Sequence, residues 1–163
     1  MRIALLAAVA AFAVAAPAAA QETTDTATFT GPRVGLNIGF ADDDQVFGTE
    51  AFTYGAEVGY DADLGGAVVG GSIEVQDSKD TGRDIGITGR VGAKVGSKGL
   101  IYGTAGYTNL RVFEDFTLGG FRFGVGGEVA VTKNAFLKAE TRYSDYELGF
   151  EAYQTVLGVG VRF

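Results

Sequence analysis

Apolar residues alternate with small or polar residues along most of the chain, and the last segment shows this most clearly. One face of it carries Tyr153, Thr155, Leu157, Val159, Val161 and Phe163, and the other carries Gln154, Val156, Gly158, Gly160 and Arg162. A period of two puts successive side chains on opposite faces of a β-strand. One face therefore suits a wide apolar medium and the other a narrow polar space. A transmembrane β-strand of about ten residues has this pattern.

The same alternation predicts seven strands upstream, at residues 34–40, 52–60, 69–76, 85–95, 100–113, 121–131 and 137–144. The register of the fifth stays open because Tyr102 and Tyr107 fall on opposite faces. The predicted connections are short at 61–66, 96–99 and 132–135, and longer at 41–51, 77–83, 111–119 and 144–152. This predicts an all-β fold, an eight-stranded antiparallel up-and-down transmembrane β-barrel, which leaves no unpaired edge in lipid.

Aromatic residues lie near the predicted strand ends. The outer ends carry Phe40, Phe52, Phe121, Phe123, Tyr143 and Tyr153, and the periplasmic ends carry Tyr60, Tyr102, Phe136 and Phe163. Two aromatic girdles are typical of barrels that cross a membrane. They favour this interpretation over a secreted soluble barrel that binds an apolar ligand, as lipocalins do, in which the aliphatic face would point inward.

The first twenty residues differ from the rest. Met1 and Arg2 precede an apolar run, and Pro17 with three alanines precedes Gln21. This pattern predicts a secretory signal peptide, residues 1–20, cleaved after Ala20. An uncleaved membrane anchor is the alternative, because the run is apolar throughout. Residues 21–32 would then be a periplasmic lead-in and residues 33–163 the barrel domain.

Composition limits the chemistry, because the chain has no Cys and no His and a net charge of −7. Zinc, haem and non-haem iron sites lose their usual ligands, and acid–base enzymes lose their commonest catalyst. No basic run is present to neutralise the phosphates of a nucleic acid. We therefore expect no cofactor, no metal, no nucleic-acid partner and no enzymatic activity.

Charged residues collect on the predicted polar face. They are four acids and six bases: Glu57, Glu74, Glu128 and Glu140, with Arg90, Lys94, Arg122, Lys138, Arg142 and Arg162. An eight-stranded barrel is only wide enough for side chains to fill, so these charges must pair, hydrogen-bond or hold trapped water. We interpret them as a structural network of the lumen, and a gate for small ions is the alternative.

The predicted outer loops are acidic, with Asp42, Asp43, Asp44, Glu50, Glu114, Asp115, Asp145, Glu147 and Glu151. Such loops could share divalent cations with lipopolysaccharide phosphates or meet a basic partner. Solvation of an exposed surface is the simpler interpretation, because no loop has Asp-x-Asp-x-Asp-Gly spacing.

Two segments resemble a known family. Residues 124–146 read Gly-Val-Gly-Gly-Glu-Val-Ala-Val-Thr-Lys-Asn-Ala-Phe-Leu-Lys-Ala-Glu-Thr-Arg-Tyr-Ser-Asp-Tyr, and residues 55–61 read Gly-Ala-Glu-Val-Gly-Tyr-Asp. They resemble the opacity-protein and OmpA-like porin family of small outer-membrane barrels, and the terminal Phe fits it. The resemblance implies the cell outer membrane of a Gram-negative bacterium, contact with its lipid and lipopolysaccharide, and insertion by the barrel assembly machinery. That machinery would read a C-terminal signature of Tyr153, Leu157, Val159, Val161 and Phe163.

The resemblance also implies a monomeric integral envelope component of structural or porin-like role. A low-conductance pore for small solutes and a loop-mediated surface-binding or adhesion protein stay open as alternatives. The sequence ends at its predicted eighth strand, so we do not expect the peptidoglycan-binding domain of full-length OmpA-type proteins. The short outer loops argue against a dedicated adhesin, since recognition usually needs longer loops.

Overall fold

Eight antiparallel strands form a closed barrel in a computed structural model that describes residues 29–42, 50–78, 82–113 and 116–163. The strands are β1 Gly31–Asp42, β2 Glu50–Asp63, β3 Ala67–Ser78, β4 Arg83–Val95, β5 Gly99–Phe113, β6 Phe116–Ala130, β7 Ala135–Tyr146 and β8 Phe150–Arg162. Each strand pairs with the next, and β8 pairs with β1. This confirms the predicted fold class. A 3-10 turn, Glu147–Gly149, precedes β8.

Some predictions lie outside the described residues: the signal peptide at 1–20, lead-in residues 21–28, and the acids Asp43, Asp44, Glu114 and Asp115. β1 begins at Gly31, where the prediction put the barrel domain at residue 33. No helix among the described residues is long and apolar enough to cross a membrane.

The two ends of the barrel differ. One end, called the turn end, holds the beginning of β1, the end of β8 and the turns at 64–66, 96–98 and 131–134. The other, called the loop end, holds the end of β1, the beginning of β8 and the 3-10 turn Glu147–Gly149. Large apolar side chains point outward along the wall between them, whereas most charged side chains of the same strands are buried inside. This reverses the arrangement of a water-soluble protein and suits a barrel whose solvent is lipid.

Strand boundaries differ from the prediction in two places. β2 continues to Asp63, so the predicted turn at 61–66 is shorter and Asp61 faces the lumen with no exposed surface. β5 and β6 reach into the predicted loop at 111–119, with a register shift between Arg111 and Phe113. An acidic residue at the end of a strand resembles a turn residue in sequence. Asp61 can remain in β2 because Arg90 and Arg162 pair with it inside the lumen.

The aromatic girdle is correct at the loop end and partly wrong at the turn end. Tyr143 and Tyr153 pack with ring centroids 5.1 Å apart, and Phe40 and Phe52 pair at 5.5 Å. At the turn end, Tyr102 and Phe136 point into the lumen, where they are 6% and 1% exposed. Tyr60 and Phe163 remain on the outer surface there. The position of Tyr102 fixes the open register of β5, in which Tyr107 faces outward.

Two glycines of β5 give a matched test of how closely the wall is packed. A Cβ at inward-facing Gly106 would collide with the carbonyl oxygen of Ile87, whereas a Cβ at outward-facing Gly103 would find its nearest atom at 3.9 Å. We expect Gly106→Ala to destabilise the barrel by about 1–3 kcal/mol, since backbone must move. Gly103→Ala should change stability little. Urea unfolding in lipid vesicles measures both, and equal effects would contradict the packing described.

Candidate functional site: the charge network of the lumen

The barrel lumen holds a balanced set of buried charges. Among the described residues, every buried charged side chain belongs to it: Glu57, Asp61, Glu74, Asp84, Glu128 and Glu140, with Arg33, Arg90, Arg122, Lys138, Arg142 and Arg162. Each makes at least one ion pair with another member. Six acids thus face six bases, where the sequence prediction had four against six.

The balance comes from residues that lie one position beyond the predicted strands. Arg33, Asp61 and Asp84 were missed, although each continues the inward parity of its own strand. Extending the alternation outward would have found them. Lys94 was predicted in the network but pairs separately with Asp63 at the turn end, with Nζ to Oδ2 at 2.8 Å and both side chains about a quarter exposed.

Asp61 is the centre of the turn-end cluster, which comprises Arg33, Glu57, Asp61, Arg90, Glu128, Lys138 and Arg162. The Nε and Nη2 of Arg90 donate to its two carboxylate oxygens at 2.8 and 2.5 Å. Arg162 Nη2 donates to Oδ2 at 3.0 Å, and Arg33 Nε lies 3.2 Å from the same oxygen. Glu128 accepts from Arg90 at 3.0 Å and Arg162 at 2.8 Å. Two carboxylates thus hold three guanidinium groups together.

Glu57 extends this cluster toward the middle of the lumen. Its Oε1 accepts from Arg33 at 2.6 Å, and its Oε2 accepts from Lys138 Nζ at 2.6 Å. The lysine stem crosses over Gly158, where any Cβ would overlap the carbons of Lys138 and the side-chain oxygen of Asn37. Glycine at this position therefore lets a long side chain cross a narrow barrel.

The middle cluster joins opposite walls through Glu74 on β3 and Arg142 on β7. Arg142 Nη1 and Nη2 donate to the two carboxylate oxygens of Glu74 at 2.5 and 2.9 Å, and its Nε donates to Glu140 at 2.7 Å. Glu74 also accepts from Asn37 at 2.8 Å and Gln76 at 2.5 Å. Because β3 and β7 are four strands apart in the barrel of eight, this bidentate pair spans the full bore.

Tyr102 connects the turn-end and middle clusters. The Arg90 guanidinium lies over its ring, 5.1 Å from the centroid, and its hydroxyl donates to Glu140 at 3.0 Å. The ring is fully inside the barrel. Tyr102, which the sequence predicted at the membrane interface, therefore links the turn-end cluster to the middle cluster inside the lumen.

A third cluster lies toward the loop end. Arg122 pairs with Asp84 and donates to Ser144 Oγ at 3.0 Å and the Tyr146 hydroxyl at 3.2 Å. Thr108 donates to Asp84 as well. Gln154 on β8 donates to Thr53 on β2 at 2.8 Å and to Gln76 on β3 at 3.0 Å. These hydrogen bonds cross the lumen between strands that are not neighbours in the barrel.

Little space remains within the network. A cavity of about 20 Å³ lies at its centre, bounded on one side by the hydroxyl-bearing residues Ser72, Thr88 and Thr104. That volume accommodates about one water molecule. Among the described residues, no group of three or more acids is arranged to hold a metal ion. Chemically, the arrangement pairs the buried charges inside the barrel with one another.

The C-terminal residues singled out by the sequence lie on the outer surface. Tyr153, Leu157, Val159, Val161 and Phe163 are all exposed toward the surroundings of the barrel, and β8 pairs with both β7 and β1. Together they form a largely apolar face, interrupted by Thr155, along the strand that closes the barrel.

An apolar outer wall, a polar interior and complete strand closure define an integral membrane β-barrel. The chain belongs to the family described as the outer membrane protein beta-barrel domain, whose model matches residues 4–163. Its location is accordingly the bacterial outer membrane, in contact with lipid. No curated protein matches the sequence.

Several solved barrels have a similar fold. Neisserial surface protein A has a TM-score of 0.57 at 16% identity, covering 81% of this chain and 96% of that one. The attachment invasion locus protein Ail of Yersinia pestis has 0.57 at 16%, covering 82% and 97%. The N-terminal barrel of Pseudomonas aeruginosa OprF has 0.57 at 19%, covering 82% and 99%. At these identities the likeness concerns fold alone.

Proposed function

We propose that this protein is a structural component of the outer membrane whose lumen is closed by its own charges. The observation that carries the proposal is the bidentate pair between Arg142 and Glu74, which joins opposite walls of the barrel. Layers of ion pairs lie on both sides of it. No catalytic role forms part of the proposal.

The network of ion pairs suits a fixed barrier better than a gate. Most of its charges have two or more partners, so moving one side chain would leave others unpaired in a buried site. Breaking a buried ion pair by removing one partner typically costs about 3–5 kcal/mol. A gate needs two arrangements of similar free energy, and the balance of six acids with six bases leaves no spare partner within the set.

Placement in the membrane follows from the asymmetry of the barrel. We propose that the turn end faces the periplasm and the loop end the outside, as short turns and longer loops do in this class. Residues 1–20 would be the cleaved signal peptide, and lipopolysaccharide would surround the loop end. The outward face of β8, ending at Phe163, would be read by the barrel assembly machinery, and the inserted protein would be a monomer.

Single-channel recording in a planar lipid bilayer tests the closed lumen. We expect the purified protein to insert and leave the baseline silent, because the pair between Arg142 and Glu74 blocks the bore. Insertion is checked separately by the heat-dependent migration of the folded barrel in gels. Discrete, reproducible conductance steps would overturn the proposal in favour of a low-conductance pore.

Surface binding through the loop end is a second candidate. Acids there include the half-buried Asp77 and the exposed Asp145 and Glu147. The structurally similar Ail has been solved with the heparin analogue sucrose octasulfate, which is a polyanion. An acidic loop end would repel such a ligand, so a basic partner is the one that charge favours here.

A further inference from the structure

The residues just before β1 enter the lumen instead of leaving the barrel. Phe29 precedes the first strand, yet its side chain is 1% exposed. It packs in an apolar cluster with Val68, Leu100, Tyr102 and Ala130, which belong to β3, β5 and β6. These are buried apolar residues within a lumen that is otherwise mostly polar. The cluster therefore fills the mouth of the barrel at the turn end.

Backbone geometry holds this segment in place. Gly31 has a φ of 111°, a conformation that favours glycine, and a Cβ there would collide with a backbone oxygen of Phe163. The Thr30 hydroxyl donates to the carbonyl oxygen of Asp61 at 3.3 Å and accepts from the N–H of Asp63 at 3.2 Å. These contacts fasten the chain to the end of β2 as it turns inward.

Phe29 also contacts the charge network. The Arg162 guanidinium lies 5.5 Å from the centroid of the Phe29 ring and 5.1 Å from that of Phe136. The same guanidinium donates to Asp61 and Glu128. Cation–π contacts and ion pairs both strengthen when water is excluded. An apolar ring at this position therefore shields the outermost ion pairs of the turn-end cluster.

We propose that Phe29 and Thr30 form an N-terminal plug that closes the turn-end mouth of the lumen. The plug is separate from the ion pairs, because it is an apolar contact made by residues outside the strands. It extends the proposed closed lumen, since the bore would then be blocked once by charge and once by an apolar ring. Water and small solutes would not reach Asp61 from that end.

Cysteine accessibility tests the plug, because the natural chain has no Cys. Leu100→Cys places a thiol in the apolar cluster beside Phe29, and Ala130→Cys is a second, smaller change in the same cluster. The protein is expressed with its own leader and purified from outer membranes in detergent. A charged methanethiosulfonate reagent then labels the thiol, and mass spectrometry gives the rate. We expect Phe29→Ala to accelerate labelling at both positions by at least about tenfold, since it lowers the free energy of local opening.

Two controls separate a plug from a loss of structure. Leu64→Cys, in the exposed turn at 64–66, should label rapidly whether or not Phe29 is present. Phe29→Leu keeps an apolar side chain and should preserve protection. Circular dichroism and gel migration verify that each variant is folded.

The outcomes distinguish the plug from the closed lumen. Labelling rates at Leu100→Cys and Ala130→Cys that do not depend on Phe29 would overturn the plug. If the bilayer were still silent, the charge network would remain the barrier. Conductance in the wild type would overturn both the closed network and the plug, because ions that cross the barrel must pass the turn-end mouth.

Discussion

Asp61→Ala should destabilise the barrel by about 3–5 kcal/mol, because it leaves three guanidinium groups without their shared partner in a buried site. Asp61 contacts Arg33, Arg90 and Arg162, and it has no exposed surface. Glu128 alone would then face two of the three cations. Urea unfolding of the refolded protein in lipid vesicles measures the change in the free energy of unfolding.

Asp63→Ala is the matched control, two residues further along β2. Asp63 pairs only with Lys94 among the ion pairs described, and that pair is partly exposed. Partly exposed pairs contribute no more than about 1 kcal/mol. Similar losses in the free energy of unfolding for the two variants would show that burial in the lumen does not explain the contribution of Asp61 to stability.

Val125→Arg should cost about 2–4 kcal/mol, because it places a charge on the lipid-facing wall near the middle of the bilayer. Val125 lies in the central part of β6 and is 60% exposed. Its neighbours across the sheet are Gly103 and Thr141, which offer no counter-charge. The same unfolding measurement in vesicles applies.

Val131→Arg serves as the control for depth. Val131 is 54% exposed, similar to Val125, but it lies just beyond the end of β6 at the turn end. Near the interface an arginine costs only about 0–1 kcal/mol. If neither variant lowered the free energy of unfolding, the outward face of β6 would not lie in hydrocarbon.

The alternation of apolar residues was enough to predict the number of strands, their directions and the face that most side chains occupy, although the register of β5 stayed open. The reason is that a lipid-facing barrel needs strict parity along every strand, and a one-residue slip would reverse it. Glu57, Glu74, Arg122 and Glu140 are buried inside the barrel and have the inward parity of their strands.

The sequence was less informative at strand ends, where one residue can fit both the alternation of a strand and the composition of a turn. Asp61 lies in a breaker-rich segment and therefore resembled a turn residue. Tyr102 and Phe136 lie where aromatic residues usually mark the membrane interface, although the parity of β7 points Phe136 inward and the register of β5 was open for Tyr102. In each case the inward position depends on partners from strands far apart in sequence.

By itself, then, the sequence determined the barrel, its outward apolar wall and most of its buried charges, because these depend on periodicity within single strands. Only the tertiary structure decided which charges pair, how opposite walls are joined through Arg142 and Glu74, and that Phe29 turns into the mouth. Those contacts depend on barrel closure and on distances across the lumen, and neither leaves a local signal in the chain.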